Sequence, residues 1–370
     1  MSRYPKCRTR RQFLQLATSA TLGSVGLSGC GWTLANVKPT TSSQGSEDEL
    51  YIYTWSGYTD QELLNRFTKE TGIRAVADVF DSNESMLARL QAGGGGAYSI
   101  IYPSEYMVQK MVELDLLTQL DFSQITGLDQ LFPRFLNPEY DPGNLHSIPT
   151  SWGTTGLIYN KKQLKPPPED WDYLWKSQKQ LAKRMTLLND VREVMGATLK
   201  MLGYSYNTKN TEHIQEAYEQ LVKLKPNIAS FTSDAWRPQI LSGDLRVAMC
   251  YSSDANEVIG ENSDLQYVLP RSGSSVWMDT IVIPKTAPNL KGAYAWINFM
   301  LKPDVAAQIC ERLSFATPNK EAYKLLPSKI QNNQSLFPPE SALENCEGLS
   351  PLGDKVEEVY DRYWTKLTSG

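Results

Sequence analysis

Apolar runs and amphipathic stretches alternate along the chain from residue 50 onward. Residues 50–55 form a β-type run, and the apolar positions that follow, including Leu63 and Phe67, recur at helical spacing. Gly72 ends this helical pattern, and residues 73–80 are predicted to form a second strand. Because strands and helices alternate, the pattern predicts βαβ units and a mainly parallel sheet.

The alternation continues along the chain and predicts two α/β lobes of similar size. Further predicted helices cover residues 84–91, 171–182, 191–202, 211–224, 293–301, 303–312 and 355–367. Further predicted strands cover residues 98–103, 185–188, 245–251, 266–269 and 281–283, the last within the segment SVWMDTIVIP at 275–284. Ligands of open α/β sheets bind beyond the carboxyl ends of the strands, so a two-lobed protein is expected to bind its ligand between the lobes.

The first 29 residues have the pattern of an export signal. Five basic residues come first, and a weakly apolar stretch rich in Ala, Ser and Gly follows over residues 13–29. TRRQFL, residues 9–14, resembles the twin-arginine export signature, although general export signals also carry Arg pairs. LSGC, residues 27–30, resembles a lipobox, which predicts lipidation of Cys30; the alternative is an ordinary cleaved signal with an incidental Cys.

Residues 30–49 are polar and turn-rich, as expected for a tether between a lipid anchor and a folded body. No later apolar run reaches the roughly 18 residues of a membrane span. The lipid at Cys30 is therefore the predicted membrane attachment, and the protein is expected in the periplasm or at the outer face of the cell membrane.

Removal of the signal would make the chain more acidic. The full sequence has 37 basic and 41 acidic residues, a net charge of −4. Residues 1–29 hold five of the basic residues and none of the acidic ones, which leaves the mature chain at −9. This charge disfavours nucleic acid as a partner and mildly favours a cationic ligand.

The chain has five cysteines, of which Cys7 would be lost with the signal and Cys30 would carry lipid. Outside the cytoplasm, Cys310 and Cys346 are candidates for a disulfide, with Cys250 buried and free, although the sequence does not fix this pairing. Spacings typical of metal fingers or redox motifs are absent from the sequence.

Catalytic motifs are scarce. The two histidines, His146 and His213, lie in no recognisable triad or metal spacing, and His213 is expected to be solvated. The glycines at 93–96 lack the Lys-Ser/Thr of a phosphate-binding loop. We therefore expect no metal, no cofactor and no enzymatic activity. The remaining enzyme hypothesis is a carboxylate-pair hydrolase of sugars, whose carboxylates would be Asp190, Glu193 and Asp279.

Aromatic residues and carboxylates cluster at the ends of predicted strands. The five clusters are Trp55-Ser56-Gly57-Tyr58, Ser104-Glu105-Tyr106, Asp190-Val191-Arg192-Glu193, Tyr251-Ser252-Ser253-Asp254 and Trp277-Met278-Asp279. Structural alternatives are a capping box for Asp190 and Glu193, core packing for Trp55 and Tyr58, and solvation for Glu105 and Asp254. Asp279 has the weakest such alternative, because an unpaired carboxylate is costly to bury beside an apolar strand.

From residue 50 to about residue 368 the chain resembles the spermidine/putrescine-binding proteins of ABC importers, a polyamine branch of the type II periplasmic binding proteins. The segments that carry the resemblance are YIYTWSGYT, FTKETGI, SNESMLARL, GAYSIIYPSEYMV, SIPTSWGTTGLIYN, NDVREVMGATLKMLGYS, VWMDTIVIP, INFMLKPDVA and ATPN. One such match alone is weak, but nine in order over some three hundred residues are specific.

The resemblance implies two discontinuous lobes joined by a hinge, with a cleft that closes over a linear di- or polyamine. The first lobe would comprise 50–155 with 278–320, and the second 156–277 with 321–370. The protein would be a monomer that delivers its ligand to the permease subunits of an ABC importer. The implied ligand-binding residues are Trp55, Ser56, Tyr58, Ser104, Tyr106, Asp190, Glu193, Tyr251, Trp277, Asp279 and Phe315.

The chain departs from the family pattern at four positions. Tyr251 replaces a Trp that stacks on the ligand, and Phe315 replaces a Tyr. Gly57 stands where the family often has Glu, and Ser350 aligns loosely with a family Gln. The absent Glu leaves open which amine fits, and Glu105 or Asp254 is a candidate to compensate for it.

Polyamine chemistry suits this residue set, because aromatic faces attract cations and cover methylenes while carboxylates accept ammonium hydrogen bonds. Binding is then expected to weaken below about pH 4–5, where carboxylates begin to protonate. The alternatives of the same fold are a sugar-binding protein or a binder of another small amine. The sequence does not rank putrescine, spermidine, spermine and agmatine.

Overall fold

The computed structural model describes residues 47–369. The predicted export signal, its twin-arginine-like motif, Cys30 and most of the tether lie outside these described residues. Within residues 47–369, no helix combines the length and the apolar character that a membrane crossing requires.

Strands and helices alternate along the described chain. The strands are β1 Glu49–Trp55, β2 Arg74–Phe80, β3 Ile100–Ile101, β4 Ser147–Asn160, β5 Met185–Leu187, β6 Ile228–Phe231, β7 Val247–Tyr251, β8 Leu265–Val268 and β9 Val276–Val282. Short 3-10 turns lie at Gly94–Ala97, Phe122–Gln124, Leu128–Gln130, Pro133–Phe135, Pro142–Asn144 and Lys225–Asn227.

The helices vary from one turn to four. They are α1 Gln61–Thr71, α2 Asn83–Gln91, α3 Glu105–Glu113, α4 Tyr173–Lys176, α5 Gln178–Leu181, α6 Val191–Met201, α7 Thr211–Leu224, α8 Trp236–Ser242, α9 Ser252–Glu261, α10 Leu290–Met300, α11 Pro303–Leu313, α12 Lys320–Leu325, α13 Ser328–Gln331, α14 Glu340–Leu343 and α15 Asp354–Thr368.

All nine strands belong to one continuous sheet with the order β2-β1-β3-β9-β4-β7-β5-β6, and β8 pairs with β4. Pairing is parallel in the two outer parts, β2-β1-β3 and β7-β5-β6, and antiparallel at the centre around β9 and β4. The predicted α/β fold class is confirmed. The predicted parallel pairing holds for the outer strands only, because β4 and β9 run against each other through the middle of the sheet.

Separate apolar clusters cover the two outer parts of the sheet. One includes Ile52 and Phe67 with Trp296 of α10, and we call this side the β1 half. The other includes Leu187, Leu221 and Tyr360, from β5, α7 and α15, and we call it the β5 half. The proposed lobes are consistent with this separation, although the exact lobe boundaries stay a prediction.

Helices α11 and α12 pack together at the β1 half. Ala306 and Cys310 of α11 lie in one apolar cluster with Ala322 of α12 and Leu326. A boundary after residue 320 would divide this packed pair of helices. The residue at which the chain returns to the β5 half stays a prediction.

The candidate disulfide between Cys310 and Cys346 is absent, since Cys250, Cys310 and Cys346 are all free. Cys310 is buried in the α11–α12 cluster, whereas the Cys346 thiol lies 3.7 Å from the Ala342 carbonyl oxygen on another segment. The prediction of a bridge is therefore wrong, and the prediction that Cys250 is buried and free is confirmed.

Candidate ligand-binding site

Asp279 lies in the middle of β9, and only 5% of its surface is exposed. Its Oδ1 accepts a 2.8 Å hydrogen bond from Ser104 Oγ, and its Oδ2 accepts one from the Tyr58 hydroxyl. Burial raises the pKa of Asp279 to about 6, although both hydrogen bonds act to lower it. Within the described part of the chain, no lysine or arginine forms an ion pair with this carboxylate. Asp279 is therefore a buried acid with neutral partners and no countercharge.

Three chain segments converge on Asp279. Gly57 has a φ of 80°, a left-handed conformation that glycine adopts without strain, and it turns the chain after β1 toward Tyr58. Ser104 follows β3 and pairs with Asp279 in an isolated antiparallel bridge. The rings of Tyr58 and Phe315 lie 4.3 Å apart between centroids. Four of the residues implied by the resemblance, Tyr58, Ser104, Asp279 and Phe315, thus meet around the Asp279 carboxylate.

A pair of acids lies at the start of α6. Asp190 caps this helix, because its Oδ1 accepts a 3.0 Å hydrogen bond from the Glu193 backbone N–H. The Glu193 carboxylate does not return a bond to Asp190, so only half of the predicted capping box forms. It instead accepts hydrogen bonds from the Ser275 hydroxyl at 2.8 Å and the Tyr206 hydroxyl at 3.1 Å. Burial, followed by the charge of Asp190, raises the pKa of Glu193 to about 7.

Trp277 lies between the two acidic ends of the site. Its ring is 5.8 Å from the Tyr251 ring in an edge-on arrangement, and the Tyr251 hydroxyl donates to Asp190 Oδ2 at 3.4 Å. A Cβ at Gly153 of β4 would lie 2.2 Å from the Trp277 ring. The indole therefore packs directly against the β4 backbone, which requires glycine at this position.

Strand β9 sets the spacing between the two acidic ends. Ser275, Trp277 and Asp279 are at alternate positions and so face one side of the strand. The Glu193 carboxylate is bound at Ser275, four residues before Asp279. Four residues of extended strand correspond to about 13 Å. The arrangement is therefore elongated, with a carboxylate toward each end and an indole between them.

The structure does not bring every implied residue into contact with the carboxylates of Asp279, Asp190 and Glu193. Trp55 packs on Phe80 with ring centroids 4.4 Å apart, and Ser56 is exposed in the turn that follows β1. The Tyr106 hydroxyl lies 2.9 Å from Asn83 Nδ2 and 3.1 Å from Glu84 Oε1, so it contacts α2 and not Asp279.

Glu105 is a structural acid and not the solvated side chain that the sequence favoured. It is 3% exposed, and its two oxygens accept hydrogen bonds from the backbone N–H groups of Met278 at 2.8 Å and Leu349 at 3.0 Å. Burial raises its pKa to about 8. Glu105 therefore ties β9 to the C-terminal segment, and it is not placed to replace the acid absent at Gly57.

Asp254 and Ser350, the other residues named with the departures from the family pattern, also have partners within the protein. Asp254 forms a 2.8 Å ion pair with Arg237, so it is not solvated and its charge already has a cationic partner. Ser350 accepts a 3.0 Å hydrogen bond from Arg192 at its carbonyl oxygen and donates its N–H to Asn207 at 2.9 Å. These contacts hold the C-terminal segment against α6.

Three polar residues of the site were missed by the sequence. Ser275 and Tyr206 hold Glu193, and Ser151 of β4 pairs with Asp279 in the register of β4 and β9. A single serine within an apolar strand carries no local signal. The pairing of distant strands is what brings these residues to the site.

Comparison with known proteins places the chain among transport proteins. A Salmonella typhimurium protein described as "Spermidine/putrescine-binding periplasmic protein" is 37% identical over 324 residues, which is 87% of this chain and 92% of that protein. The crystal structure of a spermidine/putrescine ABC transporter substrate-binding protein from Streptococcus pneumoniae is 38% identical. It has a TM-score of 0.78 and covers 87% of this chain and 99% of that one.

A Treponema pallidum lipoprotein of known structure is also similar, at 30% identity and a TM-score of 0.80 over 87% of this chain and all of that chain. The Salmonella typhimurium relative is described as a binding protein and the Streptococcus pneumoniae relative as the substrate-binding protein of a transporter, which confirms the prediction of a binding protein and not an enzyme. The sequence model of the family described as "Bacterial extracellular solute-binding protein" matches residues 62–338, more than half of the chain. The chain therefore belongs to the bacterial extracellular solute-binding proteins, in agreement with the resemblance seen in its sequence motifs.

Proposed function

We propose that this protein captures a di- or polyamine outside the cytoplasm and delivers it to an ABC importer. One observation carries the proposal: Asp279 is buried beside an indole, with hydroxyl donors but no countercharge among the described residues. An ammonium group supplies that countercharge. The relatives described as spermidine/putrescine-binding proteins support a di- or polyamine as the ligand that carries this ammonium group.

The two acidic ends suit the two ends of such a ligand. Asp279, with Tyr58 and Ser104, takes one ammonium, and Asp190 with Glu193 takes another. Trp277 and Tyr251 cover the methylenes between them, and a cation near an aromatic face gains roughly 0.5–2 kcal/mol. Charged hydrogen bonds add roughly 1.5–3 kcal/mol each, which is sufficient for micromolar binding after ordering and desolvation costs are subtracted.

The β1 and β5 halves act as the two lobes, with β4 and β9 as the crossings between them. We assign 50–155 and 278–337 to the first lobe and 156–277 to the second, because Phe337 still packs against the α11–α12 cluster; the chain returns to the second lobe after residue 337. Tyr58, Ser104 and Phe315 then belong to the first wall of the cleft, and Asp190, Glu193 and Tyr251 to the second. A ligand that binds both walls stabilises the closed arrangement by its differential affinity for it.

The protein is exported to the periplasm, as its relatives are. We further propose that Cys30 is lipidated, that residues 31–49 tether the domain to the membrane, and that export follows the twin-arginine route. The TRRQFL and LSGC motifs support these proposals. The domain acts as a monomer that docks on the permease subunits.

Isothermal titration calorimetry on the protein from residue 31 onward tests the function. Putrescine, spermidine, spermine and agmatine are titrated at neutral pH, with maltose and glucose as neutral sugars of the rival hypothesis. We expect saturable binding of at least one amine and no binding of the sugars. Binding of a sugar in the absence of any amine binding would overturn the proposal.

A further inference from the structure

Glu84 is a carboxylate of the first wall that the resemblance does not assign. It lies in the first turn of α2, one residue after Asn83. The Tyr106 hydroxyl donates to Glu84 Oε1 at 3.1 Å and accepts from Asn83 Nδ2 at 2.9 Å. Tyr106 is thus held in place by α2, and its hydroxyl is directed to the Glu84 carboxylate.

The second wall carries a matching pair. The Tyr251 hydroxyl donates to Asp190 Oδ2 at 3.4 Å. Each wall therefore presents a carboxylate with a tyrosine hydroxyl on it, Glu84 with Tyr106 and Asp190 with Tyr251. Both carboxylates also lie at helix N-termini, α2 and α6, where the helix dipole favours negative charge.

The second wall meets the first at Tyr106, because the guanidinium of Arg192, two residues after Asp190, lies 5.8 Å from the Tyr106 ring centroid. Although Glu84 is exposed as a residue, burial around its carboxylate raises its pKa, and the charges of Asp190 and Asp361 raise it further. Burial raises the pKa of the Tyr106 hydroxyl as well, and the negative charges of Glu84 and Asp190 raise it further. Tyr106 therefore lies within the field of both acids, at a point where the two walls approach.

Besides Lys110 of α3, whose pKa the charge of Glu84 helps to raise, Arg192 is a cation beside this arrangement. Its guanidinium lies 5.8 Å from the Tyr106 ring centroid and 5.9 Å from that of Tyr360. Its Nη2 is bound to Asn207 and to the Ser350 carbonyl, each at 3.0 Å. Because Arg192 is committed to these partners, it stacks on Tyr106 without forming an ion pair with Glu84.

We propose that Glu84 is a further ligand-binding residue, and that the ammonium taken by Asp190 is held between Asp190 and Glu84. This inference rests on the proposed function and deepens it. Two like charges on opposite walls repel each other when the site is empty, and a cation between them draws the walls together. Glu84 also gives the first wall a second carboxylate in addition to Asp279. The first wall is the one on which Gly57 replaces the Glu that the family often has.

The first test is Glu84→Gln, measured by calorimetry with spermidine. Gln keeps the shape and an acceptor for the Tyr106 hydroxyl, so the ligand-free melting temperature should stay within about 2 °C of wild type. We expect the affinity to fall at least fivefold. The control is Glu113→Gln, which removes an exposed carboxylate from the last residue of α3 and should change affinity less than twofold. Affinity of Glu84→Gln within twofold of wild type would overturn the inference.

A double-mutant cycle separates a shared ammonium site from a general charge effect. Asp190→Asn keeps a helix cap, because Asn caps as well as Asp. If Glu84 and Asp190 hold the same ammonium, Glu84→Gln should cost at least threefold less in the Asp190→Asn background than in wild type. Its cost in the Asp279→Asn background should be unchanged, since Asp279 serves the other end. Equal costs in both backgrounds would contradict the shared site.

The outcomes for the two proposals are distinguishable. Wild-type protein that binds no amine removes both the proposed function and the role of Glu84. Wild-type protein that binds spermidine, together with an Asp279→Asn variant that binds weakly and a Glu84→Gln variant that binds normally, removes only the role of Glu84.

Discussion

At the scale of single residues, the site consists of acids that the protein leaves without cationic partners. Asp279 and Glu193 are both buried, and hydroxyl groups alone hydrogen-bond to their carboxylates in the described structure. Such groups favour the neutral form, because burial penalises charge more than neutral hydrogen bonds offset it. A cationic ligand reverses this preference.

Removal of the Asp279 charge should weaken amine binding without unfolding the protein. In Asp279→Asn the amide oxygen still accepts from Ser104 or Tyr58, so the hydroxyls keep a partner. We expect the affinity for spermidine to fall tenfold or more, about 1.4 kcal/mol, in calorimetry. Unchanged affinity would sink the assignment of Asp279. The ligand-free melting temperature should not fall, since a buried charge without a countercharge has been removed.

Amine affinity should rise with pH across the range in which the buried acids ionise. Asp279 has a pKa of about 6 and Glu193 of about 7, and an ammonium binds their charged forms. We therefore expect calorimetric affinity to increase from pH 5 to pH 8, and binding at low pH to release protons, because the empty protein holds protons on these acids that the ammonium-bound form does not. Burial thus moves the loss of binding upward from the pH 4–5 that the sequence predicts. An affinity that is flat from pH 5 to pH 8 would contradict carboxylate-led binding.

The ligand-free protein should show the opposite trend in stability. The folded-state pKa values of Asp279, Glu193 and Glu105 are raised to about 6, 7 and 8. The stability that these acids contribute is present at low pH and is lost as pH rises through those values. Thermal unfolding of the empty protein should therefore occur at lower temperature at pH 8 than at pH 5.5, and saturating spermidine should reduce the difference.

At the scale of elements, strand β9 positions the indole and both acidic ends. The sequence predicts only the last part of this strand, as residues 281–283. It predicts most helices, because their apolar residues recur with a clear period; helix α7 has the bounds that the pattern predicts, 211–224. It misses β4, whose residues are buried almost without a break, so no alternation marks a strand. The contact of Gly153 with Trp277 depends on that missed strand and was not predictable either.

Gly153→Ala should disturb the site through β4. The new Cβ would lie 2.2 Å from the Trp277 ring and 2.7 Å from Ser252 Oγ, so the indole must move. Overpacking of this kind costs about 1–3 kcal/mol. We expect a lower melting temperature and weaker spermidine binding. Gly96→Ala is the matched control, because a Cβ there meets nothing within 4 Å, and it should change neither measurement. Wild-type binding by Gly153→Ala would show that the indole position does not matter.

At the scale of the whole molecule, contacts between the β1 and β5 halves join residues that are far apart in sequence. Glu105 binds the backbone of Leu349, 244 residues away, and Lys110 lies 3.0 Å from Glu357. The order of nine motifs predicts the family and two halves. It does not predict such pairs, because each depends on how the halves meet and not on any local pattern. For the same reason Glu105 was expected to be solvated and is buried.

The pair of Lys110 with Glu357 should assist closure without contact to the ligand. Lys110 of α3 lies 3.0 Å from Glu357 and 3.9 Å from Asp354, both in α15 of the β5 half. An exposed pair contributes roughly 0.2–1 kcal/mol, so Lys110→Gln should weaken spermidine binding by about twofold to fivefold at low salt. Screening should remove most of this loss in 0.5 M NaCl. Lys176→Gln, which breaks a pair within one helix turn, should have no effect at either salt concentration. If Lys110→Gln binds spermidine as tightly as wild type at low salt, or loses the same affinity at low salt and in 0.5 M NaCl, this pair does not help the halves to close.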